Sequence, residues 1–378
     1  MDEPADVVVV GGGPAGSVAA ALLARAGLRV ILVEQKVFPR RKVCGEFVSS
    51  GARSVLDRLD VLEQFDARAG PPLQAVRAST ADGRSVDVLF GGAAPRAMAR
   101  DQFDQLLLEC AHAWGAEILQ PWRVQRIVGS SATGFSLFAA GGESIRGRCV
   151  VLAHGGFKVP RPGPRNFLCF QAHFTGVDLP DDVTAVAGAK DMYAGVLRTS
   201  AVPGPQAAAA LPRYNVAFLA RRRLLADYPS GDALMEYLFR GQSAWAKMFR
   251  GAQRLDRWNA CGPARPGRGV AYHEGAFGVG NAAGEVHPLI GEGVTLALRS
   301  AALVAELLPR GLAAGDSWAE MGRNYTVAWR REFRRRLYAS NLFSSVLVHP
   351  TWGAFSGGLL RRFPRLLNAA VRYSGKGA

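Results

Sequence analysis

The segment Arg40-Arg41-Lys42-Val43-Cys44-Gly45-Glu46 gathers a thiol, a carboxylate and three cations, with a glycine between thiol and acid. Cys44 there can be a redox thiol, a metal ligand, a packing residue or part of an active-site wall. Glu46 is within reach of Arg41 or Lys42 and is expected to orient one of them. Three further groups are singled out. Tyr193 lies in Asp191-Met192-Tyr193-Ala194-Gly195-Val196, where small residues leave room beside it. His287 directly precedes Pro288 in a glycine-rich loop, within reach of whatever that loop binds. His173 sits inside an alternating strand pattern, where a satisfied polar residue is the commoner role. The five cysteines, 44, 110, 149, 169 and 261, are odd in number and scattered, with no CxxC and no zinc spacing. That pattern predicts no metal site and no disulfide framework, and it points to a reducing compartment. A relay between Cys44 and another thiol would need Cys169 to approach it in space.

These groups need a scaffold, and residues 6–34, DVVVVGGGPAGSVAAALLARAGLRVILVE, supply one. A run of valines enters Gly11-x-Gly13-Pro14-Ala15-Gly16. A helix rich in Ala and Leu follows, Gly27 ends it, and a second apolar strand closes on Glu34. This is a βαβ unit with dinucleotide-binding spacing. Gly11 permits the tight turn, Gly13 lets a pyrophosphate approach the backbone, and Gly16 lets helix and strand pack closely. Pro14 and Ala15 open the helix, whose free N–H groups and positive dipole suit phosphates. Glu34 is placed to accept hydrogen bonds from a ribose diol.

A second glycine-rich stretch lies far along the chain: Gly280-Asn281-Ala282-Ala283-Gly284, then Pro288, then Gly291-Glu292-Gly293 leading into a helix. With it the chain resembles the FAD-dependent enzymes that include para-hydroxybenzoate hydroxylase, geranylgeranyl reductases and flavin-dependent halogenases. The resemblance implies FAD as cofactor. It places Gly280 and Asn281 at the ribityl chain, where the family usually has Asp, and Pro288, Gly291 and Gly293 at the flavin edge. Arg100-Asp101-Gln102-Phe103-Asp104 matches the family's R-x-x-F/L-D helix, which puts Arg100 near the phosphates or ribityl chain. Val124 falls where the family pairs backbone with adenine. Val150–Gly156 matches a strand that ends in Asp-Gly in aromatic hydroxylases; here His154 precedes Gly155. Arg41, Cys44 and Gly45 fall in the segment that reaches from the ribose toward the flavin ring, and geranylgeranyl reductases carry a similar Lys-x-Cys-Gly-acid segment there.

The resemblance and the patterning together predict an α/β architecture, α+β overall. A Rossmann-like FAD-binding domain would be assembled from residues 1–75, 95–160 and 266–310. Residues 76–94 and 161–265 would form an inserted antiparallel-sheet substrate domain, with strands near 167–174, 184–189 and 214–219. Residues 311–378 read as helical, over 318–343 and 359–373. The last of these carries an apolar face, with Arg361, Arg362 and Arg365 largely elsewhere.

Composition narrows the setting. The 378 residues carry a net charge of +15, of which +9 falls between Arg310 and Ala378. Arg is used heavily throughout, so a solvated helical face accounts for most of this, and nucleic acid is not an expected partner. The acidic start, MDEPAD, lacks a signal-peptide pattern, and no apolar run spans a bilayer. A cytoplasmic protein is expected, with the basic C-terminal region as its one route to a membrane surface, as monomer or homodimer. The reaction expected first is geranylgeranyl-reductase-like hydride transfer at flavin N5 to a hydrophobic, isoprenoid- or polyketide-like substrate, free or presented by a carrier or membrane. NAD(P)H, bound transiently, or a reduced protein would be the electron donor. The alternative is a monooxygenase acting on an aromatic or polyketide-type substrate through a flavin C4a-hydroperoxide. A non-catalytic flavin-binding partner protein ranks third. The two-Trp motif of halogenases is absent, which counts against halogenation.

Overall fold

The computed structural model describes residues 3–79, 85–156, 166–202, 210–264 and 266–347. The expected helix at 359–373, with Arg361, Arg362 and Arg365, lies outside them.

The Ala5–Val10 strand has no polar face, because it is covered on both sides; only a parallel sheet sandwiched between layers offers that environment. It sits mid-sheet, parallel to Val30–Val33 on one side and Ser144–Leu152 on the other. Glu117–Leu119 and Ala276–Gly278 extend the sheet outward. The Pro14–Arg25 helix begins on proline, whose missing N–H costs nothing there, and ends before Gly27 at φ +86°. Its Val18, Ala19, Ala20, Ala21 and Leu23 are fully buried. Leu23 alone contributes roughly 2 kcal/mol by leaving water. Chain order and spatial order disagree throughout, so the nucleotide unit closes only when residues near 10, 150 and 280 meet.

The second sheet has the strand order Gln253–Arg254, Phe167–Thr175, Leu211–Arg221, Met192–Val202, Val183–Ala189, Ala75–Ser79 and Ser85–Leu89. The three-residue strand Asn259–Cys261 also pairs with Phe167–Thr175. One pair departs from the antiparallel expectation: Ala75–Ser79 runs parallel to Val183–Ala189. The chain leaves the sheet after 89 and returns near 167 through the nucleotide domain, a detour long enough to reverse direction. One face of this sheet buries Phe170, Phe174, Phe218, Val196 and Tyr214 together with Leu234, Leu238 and Trp245 of the helices Gly231–Gly241 and Ser243–Met248. Strand alternation sends the intervening side chains the other way, toward the nucleotide domain.

The helix Trp318–Leu347 closes the back of the late glycine loop. Tyr325 donates a hydrogen bond to the Gly278 carbonyl at 2.7 Å. Trp329 lies against Gly284, and Tyr272 against Gly322, so tightly that neither glycine has room for a methyl group. Among the described residues no helix is long and apolar enough to cross a membrane.

Candidate active site

The glycines of the first motif fall into two kinds. A Cβ on Gly16 would collide with the Gly11 carbonyl oxygen, and one on Gly11 (φ +108°) would stand 2.6 Å from the Ala153 carbonyl oxygen. Protein packing alone requires these two. A Cβ on Gly13 would meet nothing nearer than Arg40 Nη2 at 3.7 Å, and one on Gly45 or Gly155 nothing within 4 Å. The space at these three positions is open for a ligand. A Cβ on Gly280, at φ +58°, would stand 3.1 Å from the Ala15 Cβ, and the Gly280 N–H donates to Ser300 Oγ at 2.7 Å. The two distant motifs therefore touch. Asn281 follows, half-buried, in the short 3-10 turn Gly280–Ala282. Gly291, at φ +73°, ends the Pro288–Ile290 turn and leads to Gly293, the first residue of the helix Gly293–Ala314.

Glu34 is buried and accepts from the backbone N–H groups of Gly12 (2.8 Å) and Lys36 (2.9 Å). Its backbone N–H bonds to Leu119 and its carbonyl accepts from Trp122, which brings the start of the Val124–Ser130 strand to the same end of the sheet. Asp104, fully buried, carries two guanidinium groups. Arg100 grips it at 2.6 and 2.7 Å, and Arg40 Nη1 stands 3.2 Å away. Arg40 Nη1 is buried with no hydrogen-bond partner, and Arg40 Nη2 lies over Gly13. Two cations on one anion, beside a bare glycine at a helix N-terminus, fit a pyrophosphate. Together with Glu34 and the open glycines, these residues fit FAD. Arg40 reaches toward Gly13; Arg41 turns instead to the second sheet, 3.0 Å from Asp256.

At the junction of the two domains Glu46 occupies a left-handed backbone position (φ +59°). Its carboxylate does not orient Arg41 or Lys42. It meets His173 Nε2, with both oxygens at 3.1 Å, and accepts from the Arg100 backbone N–H at 3.2 Å. Asp256 takes the other imidazole nitrogen at 2.7 Å and the His173 backbone N–H at 2.9 Å. Gln171 Nε2 stands 3.0 Å from His173 Nε2 and donates to Asn215 Oδ1, and Asn215 donates to the Cys44 carbonyl. Burial pulls the His173 imidazole down, but its bonds to Asp256 and Glu46 outweigh this and hold it up to about 9. The Cys44 thiol is pushed up, chiefly by burial, so it stays protonated at neutral pH. His173 is thus the hub of the junction. The alternation of polar residues at 171, 173 and 215 was the only sequence trace of that network.

The sheet face toward the nucleotide domain forms rows across the strands. Cys261, Cys169, Leu219, Tyr193 and Gly188 line one; Asn259, Gln171, Ala217, Gly195 and Val186 the next; His173, Asn215 and Leu197 the third. A Cβ on Gly188 or Gly195 meets nothing within 4 Å. The half-buried Tyr193 stands beside this gap, its phenol pushed up by desolvation. His287 is buried, edge-on to Phe167 at 5.9 Å, and its Nδ1 accepts from the Leu289 N–H, so the neutral ring carries its proton on Nε2. Burial and Arg221 lower it to about 4, which excludes it as a charged acid at neutral pH.

A crevice at the carboxyl ends of parallel strands, two cooperating glycine motifs and a sheet over the open side define a FAD-dependent oxidoreductase. Comparisons with known proteins agree. The FAD binding domain family matches residues 4–155. Menaquinone reductases of Mycolicibacterium smegmatis and Mycobacterium tuberculosis (strain ATCC 25618 / H37Rv) are 24% and 28% identical to the chain, which they align over 99% and 98% of its length and 92% and 91% of their own. Among solved structures, the flavin-dependent brominase Bmp2 superposes with TM-score 0.80 at 20% identity, over 99% of this chain and 94% of that one. A geranylgeranyl bacteriochlorophyll reductase-like protein from Thermoplasma acidophilum does so with TM-score 0.73 at 20% identity, over 92% and 88%. At these identities the two structures share the fold alone. Residues 4–155 thus form a FAD-binding domain, and the chain as a whole shares the fold of these flavin-dependent enzymes.

Proposed function

We propose that this enzyme is a reductase of a hydrophobic, isoprenoid-bearing substrate. The observation that carries the reading is the set of small residues Gly188, Gly195 and Ala217 in two adjacent sheet rows, which leaves a gap beside Tyr193 and Leu219. A flat or linear apolar molecule fits such a gap, and a dry wall suits hydride chemistry. The full-length likeness to the menaquinone reductases supports it.

FAD, when bound, supplies a two-electron carrier whose N5 delivers hydride. The protein's own groups do the rest. Arg40 and Arg100, both oriented by Asp104, would hold the phosphates, and Glu34 would hold the ribose. Tyr193, Leu219 and Cys169 pack on the substrate and exclude water. Cys44, as a neutral thiol in the wall, can give a proton but is no resting nucleophile. His173, fastened to Glu46 and Asp256, fixes the segment bearing Cys44 against the sheet. The donor binds transiently as NAD(P)H or is a reduced protein. The surface reached by the substrate is a soluble carrier or a membrane face, which the basic C-terminal region would approach.

The test uses FAD-loaded protein reduced anaerobically and mixed with a polyprenyl quinone or with the same quinone lacking its side chain. The expected result is flavin reoxidation by the prenylated compound alone, with a product two hydrogens heavier. Reoxidation that waits for oxygen and inserts an oxygen atom into the product would replace this reading with a monooxygenase.

A further inference from the structure

Cys169 and Cys261 face each other in register on adjacent antiparallel strands. Residues so placed hold their Cα atoms about 4.5–5.5 Å apart, inside the roughly 4.4–6.8 Å that a disulfide spans. Their thiols hydrogen-bond each other. Cys261 is exposed and Cys169 half-buried, whereas Cys110 and Cys149 are buried elsewhere. Cys44 lies near enough to Cys169 to be felt electrostatically, but the registered partner of Cys169 is Cys261.

We propose that Cys169 and Cys261 form a reversible disulfide site that exchanges with low-molecular-weight disulfides of the glutathione class. The Cys261 thiolate attacks one sulfur of the incoming disulfide and releases the first thiolate, leaving a mixed disulfide on Cys261. Cys169 then loses its proton and attacks Cys261 Sγ, expelling the second thiolate. Two protein thiols are oxidised by two electrons, one external disulfide is reduced to two thiols, and the protons remain with the thiols released. The order of attack follows from the surroundings. Cys261 is lowered to about 7, first by the hydrogen bond from Cys169 and then, against burial, by Lys42; Glu285 opposes it. Cys169 is pushed up by the same pairing and by burial. The site also bears on the junction. The crosslink would pin the Asn259–Cys261 strand, three residues beyond Asp256, to the strand that carries His173.

The experiment equilibrates the FAD-loaded protein with glutathione redox buffers, quenches with iodoacetamide and maps the cysteines by mass spectrometry. The expected result is a Cys169–Cys261 crosslinked peptide in oxidising buffer that reverts in reducing buffer. Cys110 and Cys149 should stay unlabelled, which reports that the fold is intact. In reducing buffer Cys261 should be alkylated on the order of tenfold faster than Cys169. Cys169→Ser should trap glutathione on Cys261, while Cys261→Ser should leave Cys169 unmodified. Two free thiols at every buffer ratio, a stable glutathione adduct on wild-type Cys261, or a Cys44–Cys169 bond would each overturn the proposal.

Discussion

Glu46 and His173, 127 residues apart in sequence, face each other with both carboxylate oxygens 3.1 Å from one imidazole nitrogen. Both are buried, and they join the two domains. His173 is held up to about 9, so the stabilisation from its charge is complete below about 6.5 and is lost as pH rises through about 9. The contribution is on the order of 3 kcal/mol. Melting temperature should therefore fall from pH 6.5 to 9.5 in the wild type and vary much less in His173→Gln. NMR titration of the imidazole should show its pKa reduced in Glu46→Gln. An unchanged value would separate the pair.

The two kinds of glycine predict opposite phenotypes. Gly13→Ala should leave the melting temperature of the FAD-free protein within about 2 °C of wild type. Its FAD affinity should drop tenfold or more, about 1.4 kcal/mol, because the methyl group enters space that only the ligand uses. Gly16→Ala forces a methyl group into backbone and should destabilise the fold itself by roughly 3 kcal/mol or more. Equilibrium dialysis against FAD, paired with denaturant unfolding, distinguishes them.

Asp104→Asn should be far more damaging than its isosteric shape implies. Arg100 and Arg40 both depend on that carboxylate, and removing one partner from a buried ion pair costs about 3–5 kcal/mol. Urea unfolding reads the loss directly, and added FAD should recover part of it if phosphate takes over as counter-ion.

Gly195→Val tests the gap. Strands tolerate valine, and nothing lies within 4 Å of the new Cβ, so stability should change by less than about 1 kcal/mol. KM for an isoprenoid substrate should rise about tenfold if the set of small residues is where it lies. Unchanged KM would move the substrate elsewhere.

The nucleotide half was readable because its determinants are contiguous: strand, glycines, helix and acid follow one another between 6 and 34, and the late motif repeats the logic near 280. What could not be read was which glycine serves the ligand. Gly13 and Gly16 are the same letter, and only the atoms around them differ. The Glu46–His173 contact was hidden for another reason. A polar residue at every second strand position describes a face, and what covers that face depends on how two domains dock. Sequence proximity therefore points Glu46 to Arg41 or Lys42, whereas its partner comes from across the junction. Arg40, the cation nearest Gly13, cannot be told from Arg41 by sequence, because adjacent arginines in an extended segment point opposite ways and no pattern says which points inward.

The rings of the Trp318–Leu347 helix give the chain a length requirement. Tyr325 and Trp329 hold Gly278 and Gly284 from the side of that helix. A protein cut before Trp318 would still spell every nucleotide-binding motif correctly. The loop that ends in Gly293 would then have no outer support, and the cofactor would face a floor free to fall away.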